Sequence, residues 1–186
     1  MTTAGIMEVR ESGGRVFIYG THDSYPDRWP ALAIKYIADN RGKPLSEVVR
    51  GVLRVLREWD YEIHKKTADL YNYHGWKETE REVRRIVMMD FRQISESDIP
   101  RNIEKGWNFW YVIDLDRGAV TVRRIKPKVC IDYDYETDLG GEYVCGEEEV
   151  TEFQGSLEEY LSKYPPDSGS SSTQNLICEP AKITKT

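Results

Sequence analysis

A long amphipathic pattern after Ser46 constrains the fold more than any other feature of the chain. Apolar residues recur there at three- and four-residue steps, which places them on one face of an α-helix. Arg50, Arg54 and Arg57 fall on the other side. We therefore predict a helix that begins near Ser46, continues past Lys66 and packs its apolar face on another layer of the protein. The apolar residues are Val48, Val49, Val52, Leu53, Leu56, Trp59 and Ile63.

Shorter elements are predicted on the N-terminal side of this helix, and a third helix follows it. The chain should begin with a β-hairpin over residues 6–19, because two β-forming runs flank a glycine-containing turn. A helix is expected next, over residues 29–40. A third helix is predicted over residues 78–91, within which residues 85–89 suit a strand equally well.

The second half of the chain predicts mainly strands. Alternating β-formers indicate one hairpin over residues 107–125 and a second over residues 129–145, with its turn near Gly140. Ser156 should cap a short helix over residues 157–164, because its hydroxyl can accept a hydrogen bond from the first turn.

These elements predict a single α+β domain over residues 1–164. We expect an antiparallel sheet of hairpins with two or three helices packed on one face. The length of 186 residues suits one domain and a tail, and 39% hydrophobic residues with 12 Tyr and 5 Trp exclude a wholly disordered chain. Residues 165–186 are expected to form a flexible tail, because Ser and Gly are frequent there and apolar residues are sparse.

Membrane and redox signals favour a cytoplasmic protein. No apolar run approaches ~18 residues, so we expect no membrane partner, and the first residues lack the features of a signal peptide. The three cysteines are odd in number and have no paired spacing, which indicates reduced thiols. They are Cys130, Cys145 and Cys178.

Charge is unevenly distributed along the chain. The net charge of −6 argues against a general nucleic-acid binder. Residues 1–131 nevertheless carry a net charge of +4, and residues 132–186 carry −10. Segment 132–152 contains nine acidic residues and no basic one. Such runs usually face water, but this segment could also cover a basic surface or meet a partner.

Two short stretches combine residue types that suit a site. They are Tyr19-Gly20-Thr21-His22-Asp23-Ser24-Tyr25-Pro26 and Trp110-Tyr111-Val112-Ile113-Asp114-Leu115-Asp116. Together they resemble a widespread set of uncharacterised prokaryotic, phage and fungal proteins. In that set, one strand ends in an Asp-(Gly/Ser)-Tyr-Pro loop and a later strand carries Tyr-x-Ile-Asp-Leu. The resemblance implies a shared fold over about residues 5–125 and implies no activity.

The same residues support a structural and a functional interpretation. Turn and cap preferences favour Asp23 as a cap or Asx-turn residue before the helix, with Tyr25 stiffened by the following proline. Alternatively, His22 and Asp23 could share a cleft with Asp114 and Asp116. Such a cluster could hold Mg²⁺ or Mn²⁺ for phosphodiester hydrolysis.

Two further functional patterns are weaker. Thr2 would become the N-terminal residue if Met1 were removed, and its amine could then activate its hydroxyl as in N-terminal-nucleophile hydrolases. The arginines near residues 50–57 and 81–85 could contact phosphates, but interspersed glutamates favour an ordinary charged helix face.

The sequence therefore predicts a non-enzymatic binding protein with a protein or small-molecule partner. The expected binding residues are His22, Asp23, Tyr25, Asp114 and Asp116, together with segment 132–152. No cofactor is expected on this hypothesis, and nucleic acid is an unlikely partner. The alternatives are the Mg²⁺- or Mn²⁺-dependent hydrolase and the Thr2 hydrolase.

Overall fold

A six-stranded sheet organises the computed structural model, which describes residues 3–70, 76–99, 108–134 and 139–166. The strands are β1 (Gly5–Glu11), β2 (Gly14–Gly20), β3 (Phe91–Ile94), β4 (Phe109–Asp114), β5 (Ala119–Asp134) and β6 (Leu139–Ser156). The helices are α1 (Trp29–Asp39), α2 (Leu45–Leu70), α3 (Trp76–Asp90) and α4 (Leu157–Lys163), and a 3-10 turn spans Glu96–Asp98.

The spatial order of the strands is β3-β2-β1-β4-β5-β6. Every neighbouring pair is antiparallel except β1 and β4, which run parallel with Gly5 opposite Phe109 and Arg10 opposite Asp114. The chain between β1 and β4 is long and contains β2, three helices and β3, and parallel strands require a long connection of this kind because a tight turn cannot join them. The predicted α+β class is confirmed, and the sheet is mostly antiparallel.

One face of the sheet supplies the main hydrophobic core. Alternate residues of β1 and β4 point into it, as the two-residue period of a strand requires, and α1, α2 and α4 cover it. The Trp29 ring at the start of α1 lies at its centre, 5.6 Å from the Phe91 ring and 6.0 Å from the Tyr111 ring. Helix α3 packs along α2, where it buries Val83 and Val87.

Helix α2 follows the predicted amphipathic pattern with one informative exception. Val48, Val52 and Leu56 are buried, whereas the predicted core residue Ile63 is 40% exposed. The buried stripe continues instead through Asp60, one turn after Leu56. Helix α2 has 26 residues, but none of the helices in the described residues is apolar enough over a sufficient length to span a bilayer.

Several elements differ from the sequence prediction. Residues 85–89 belong to α3, so the strand alternative is wrong. Strand β3 was not predicted, and β5 is continuous where a break was expected after residue 125. In the β5–β6 register Cys130 lies opposite Tyr143, so the strand pairing does not place Cys130 opposite Cys145. The predicted tail, beyond residue 166, lies outside the described residues.

The predicted cap of the last helix is confirmed. The Ser156 hydroxyl accepts a hydrogen bond from the Glu159 backbone N–H at 3.1 Å. The Glu159 carboxylate in turn accepts one from the Ser156 backbone N–H at 2.7 Å. This reciprocal capping box satisfies two N–H groups that a helix start leaves unpaired, and it fixes α4 against the end of β6.

Gly51 on α2 lies directly against the Tyr36 side chain of α1. A Cβ atom at this position would overlap with Oη and Cζ of Tyr36. We predict that Gly51→Ala lowers the free energy of unfolding by about 1–3 kcal/mol, because overpacking outweighs the better helix propensity of alanine. Urea denaturation measures the change.

Gly13→Ala is the control, because a Cβ atom there would meet no atom within 4 Å. Equal unfolding energies for the Gly51 and Gly13 variants would contradict the close helix contact.

Candidate functional site

The predicted binding residues lie at opposite ends of the sheet. Gly5 pairs with Gly20 on one side and with Phe109 on the other, so the loop after β2 lies near the start of β4. Asp114 ends β4, five residues further on. At about 3.3 Å per residue, this places Asp114 roughly 16 Å from that end of the sheet. The expected cleft that joins Asp23 to Asp114 and Asp116 is therefore wrong.

Asp114 and Asp116 belong to the turn between β4 and β5. The Asp114 carboxylate accepts a hydrogen bond from the Arg117 backbone N–H at 3.1 Å and lies 3.5 Å from the Arg10 guanidinium. Asp116 is exposed in the same turn. These contacts make Asp114 a turn-stabilising residue. The predicted Mg²⁺ or Mn²⁺ site is also wrong, because Asp23 lies too far from Asp114 and Asp116 to bind the same ion.

Backbone carbonyls of the loop after β2 are tied to two buried tyrosines. Tyr111 donates its hydroxyl to the Ser24 carbonyl at 2.5 Å, and Tyr160 donates to the Pro26 carbonyl at 2.7 Å. Burial raises the pKa of both phenols, so they remain protonated donors. Tyr25 between them is 45% exposed, with its ring edge on Phe109. The loop is thus held rigidly by distant parts of the chain.

Asp23 does not cap α1. The helix begins after Arg28, which is its N-cap residue and makes no side-chain cap hydrogen bond. Asp23 instead has a backbone φ of 48°, in the left-handed region that few residues other than glycine adopt. The predicted capping role is therefore wrong.

His22 points into a polar cluster that sequence reasoning did not assemble. Its Nε2 lies 3.2 Å from Asp60 Oδ1, and its Nδ1 lies 3.1 Å from the Thr21 hydroxyl. Thr21 donates that hydroxyl to Asp90 Oδ1 at 2.7 Å. A hydroxyl oxygen and a carboxylate oxygen therefore face the two ring nitrogens. This arrangement favours the protonated imidazole, which donates from both Nδ1 and Nε2.

The hydrogen bond to Asp60 is the largest cause that raises the pKa of His22 above 6.5, and burial opposes it. The Phe91 ring, fully buried, lies 5.7 Å from the imidazole and closes the cluster on the core side. Phe91 begins β3 directly after Asp90 ends α3, so the junction of these two elements supplies both a polar and an apolar side chain to the cluster.

Asp60 is the unusual member of this cluster. Its side chain is only 1% exposed, and its Oδ1 faces His22 and also His64 Nε2, which lies at 3.6 Å. Its Oδ2 is buried and has no hydrogen-bond partner within the part of the chain that the structure describes. A buried carboxylate oxygen without a partner is costly, since it has lost its water without compensation.

Asp60, His64 and Asp90 can direct one ligand atom each toward a common point. These three atoms lie within 4.8 Å of one another. Asp60 and His64 lie one turn apart on α2, and Asp90 ends α3, so packed helices rather than loops carry all three. One imidazole with two carboxylates is a donor set that Zn²⁺, Mn²⁺ and Fe²⁺ accept, whereas Ca²⁺ prefers oxygen alone.

Sequence reasoning identified His22 but missed its partners. The available signal was Asp60 itself, a charged residue in phase with the apolar stripe of α2, with His64 four residues later. Thr2 and the third histidine, His74, lie outside the described residues. Asp90 gave no signal, because its proximity depends on how α3 meets the sheet.

Comparisons with protein-family models, curated proteins and solved structures found no match. The resemblance based on the two short stretches therefore stays a prediction, and the functional argument depends on the geometry of the cluster.

The raised pKa of His22 predicts how the stability of the metal-free protein depends on pH. Because the folded pKa exceeds the usual 6.5, protonated His22 stabilises the fold fully below about pH 6.5, and this contribution disappears as pH rises through the folded pKa. Asp60→Asn should lower the His22 pKa, which NMR titration of the ring protons measures.

Asp23→Asn is the graded control, because Asp23 is the smallest of the influences on the His22 pKa. A His22 pKa that falls as much in Asp23→Asn as in Asp60→Asn would contradict the assigned hydrogen bond.

Proposed function

We propose that the protein binds a divalent transition-metal ion at the Asp60–His64–Asp90 cluster. The observation that carries this proposal is the buried Asp60 carboxylate, whose Oδ2 has no partner among the described residues. Removing one charge from water costs several kcal/mol unless an opposite charge compensates it. His22 contacts Oδ1 alone, so a cation bound at Oδ2 would compensate the carboxylate oxygen for which the described residues provide no partner.

Each ligand has a distinct role in this proposal. Asp60 would bind the ion through Oδ2, His64 through a ring nitrogen and Asp90 through a carboxylate oxygen. His22 would act as a positioning residue, because its Nε2–H holds Asp60 Oδ1 at 3.2 Å and leaves Oδ2 for the ion. Outer partners of this kind orient metal ligands and commonly change affinity 10- to 100-fold.

This proposal retains the expectation of a binding protein that uses His22, and it replaces the expectation of no cofactor. It includes no reaction step, so hydrolysis is not part of it. The hydrolase hypothesis named Mg²⁺ or Mn²⁺. The imidazole of His64 favours Zn²⁺ or Fe²⁺ over Mg²⁺, whereas the two carboxylates also suit Mn²⁺, which both hypotheses share.

The described part of acidic segment 132–152 adds no support for an external partner. Glu149 lies 3.4 Å from Arg123, and Glu152 lies 3.1 Å from Lys126. These pairs cross from β6 to β5 within one hairpin, where opposite charges on neighbouring strands stabilise the sheet. The acidity of these two residues therefore balances basic residues of the same hairpin.

Metal binding can be tested by isothermal titration calorimetry on chelator-treated protein with Zn²⁺ and, separately, Mn²⁺. We predict one site per chain in the wild type. Asp60→Asn and His64→Ala should each weaken binding at least ~10-fold, because each removes a ligand, and His22→Gln should weaken it within the 10- to 100-fold range of an outer partner.

Asp116→Asn is the matched control, because it removes a carboxylate at the other end of the sheet and should leave binding unchanged. Circular dichroism shows whether each variant folds. Wild-type affinity in both ligand variants, or no binding of either ion to the wild type, would overturn the proposal.

A further inference from the structure

A groove between α2 and α3 presents several arginines to solvent. Residues of both helices line it, and its volume is about 460 Å³. We name it the arginine groove; its lining residues are Arg50, Arg54, Arg57, Glu58, Tyr61, Arg84, Val87 and Met88. Four of these residues are cationic and one is acidic, so basic side chains predominate in the groove although the net charge of the protein is −6.

The two outer arginines have no counter-ion from the chain. Arg50 and Arg54 are exposed and form no ion pair or hydrogen bond within the described residues. By contrast, Arg84 forms an ion pair with Glu80 at 2.8 Å and lies 4.5 Å from the centre of the Tyr61 ring. Arg84 is thus already held in place, whereas Arg50 and Arg54 are available to an anion.

Arg57 connects the groove to the core. Its Nε donates a hydrogen bond to the Phe91 carbonyl at 3.0 Å, which fixes the guanidinium. No carboxylate of the described residues pairs with its terminal nitrogens. A guanidinium offers five N–H donors in a planar fork, so the single bond to the backbone leaves donors for a ligand. A pre-positioned arginine also loses less side-chain entropy on binding.

From these features we propose that the arginine groove binds a small phosphate-bearing ligand, of the size of a nucleotide. Guanidinium groups match phosphate oxygens in bidentate geometry. The volume lies within the 300–1,000 Å³ that is usual for small-molecule sites. Val87 and Met88, the latter 53% exposed, give the groove an apolar wall on the α3 side. An anion with an apolar or aromatic portion fits both halves of the groove.

A long nucleic acid fits less well. Such a ligand needs a positive surface that extends over many phosphates, whereas these arginines span two helices and the chain is acidic overall. The acidic segment does not fill the groove with its described residues either, because Glu149 and Glu152 pair with β5. The groove therefore favours a small ligand.

The groove ends beside the proposed metal cluster. Arg57 precedes Asp60 by three residues on α2, and its backbone partner Phe91 directly follows Asp90. The phosphate proposal does not require the metal, however, and it is tested in buffer that contains a chelator. A failure of phosphate binding and a failure of metal binding are therefore separate results.

The test is calorimetric titration of the full chain in chelator at low salt, with four probes: inorganic phosphate, pyrophosphate, adenosine diphosphate and a single-stranded oligonucleotide. We expect both pyrophosphate and adenosine diphosphate to bind. If the apolar wall contacts the nucleoside, adenosine diphosphate binds more tightly than pyrophosphate. Equal affinity for pyrophosphate and adenosine diphosphate means that the groove recognises only the phosphate groups, and this result also supports the proposal. The double variant Arg50→Gln/Arg54→Gln should lose at least ~10-fold in affinity, because two charge-assisted contacts disappear.

Arg85→Gln is the matched control, because Arg85 lies on the same helix as Arg84, is 75% exposed and does not line the groove. Its affinity should equal that of the wild type. The proposal is overturned if none of the probes binds at millimolar concentration, if Arg85→Gln loses as much affinity as the double variant, or if only a single-stranded oligonucleotide binds. A second measurement needs no variant: adenosine diphosphate should slow the modification of arginine side chains by phenylglyoxal in the wild-type protein.

Discussion

The packing of α2 on the sheet is the constraint on which the rest of the structure depends. Its buried stripe runs through Val48, Val52 and Leu56, and one further turn along the same line carries Asp60 into the interior. Because the helix is rigid, burial of the apolar residues dictates burial of the carboxylate. The same rotation turns Arg50 and Arg54 outward toward α3. The orientation of α2 on the sheet thus sets the position of both the polar cluster and the arginine groove.

Local sequence patterns predicted most helices and strands, but they could not predict contacts between residues far apart in the sequence. The apolar period of α2 and the Ser156 cap depend on residues within a few positions, so both were predictable. Strand β3 has four residues and gains its partner β2 only through the tertiary fold. The parallel pairing of β1 with β4 joins strands about 100 residues apart, and it decides which end of the sheet each loop occupies. Without it, Asp23 and Asp114 were assigned to one cleft.

The candidate site shows the same limit. His22 was predictable because it lies in a distinctive loop. Asp60 was missed because it lies within a strongly amphipathic helix, where a charged residue is usually exposed. Asp90 could not be found, since its side chain meets Thr21 only where α3 turns into β3. Charge arithmetic was similarly incomplete, because the net value of −6 says nothing about which charges are neighbours. In the structure, Glu149 pairs with Arg123 across one hairpin, while Arg50 has no acidic partner among the described residues.

The tyrosine anchors of the loop after β2 have a consequence for the order of folding. Tyr160 belongs to the last helix, and the loop carbonyl that it holds lies 134 residues earlier. Contacts of such long sequence separation form late, because closing the intervening chain costs entropy before the contact repays it. We therefore expect the loop that carries His22 to reach its final position late in folding, when α4 docks. On this expectation, a chain still being synthesised completes the polar cluster only after Tyr160 has left the ribosome.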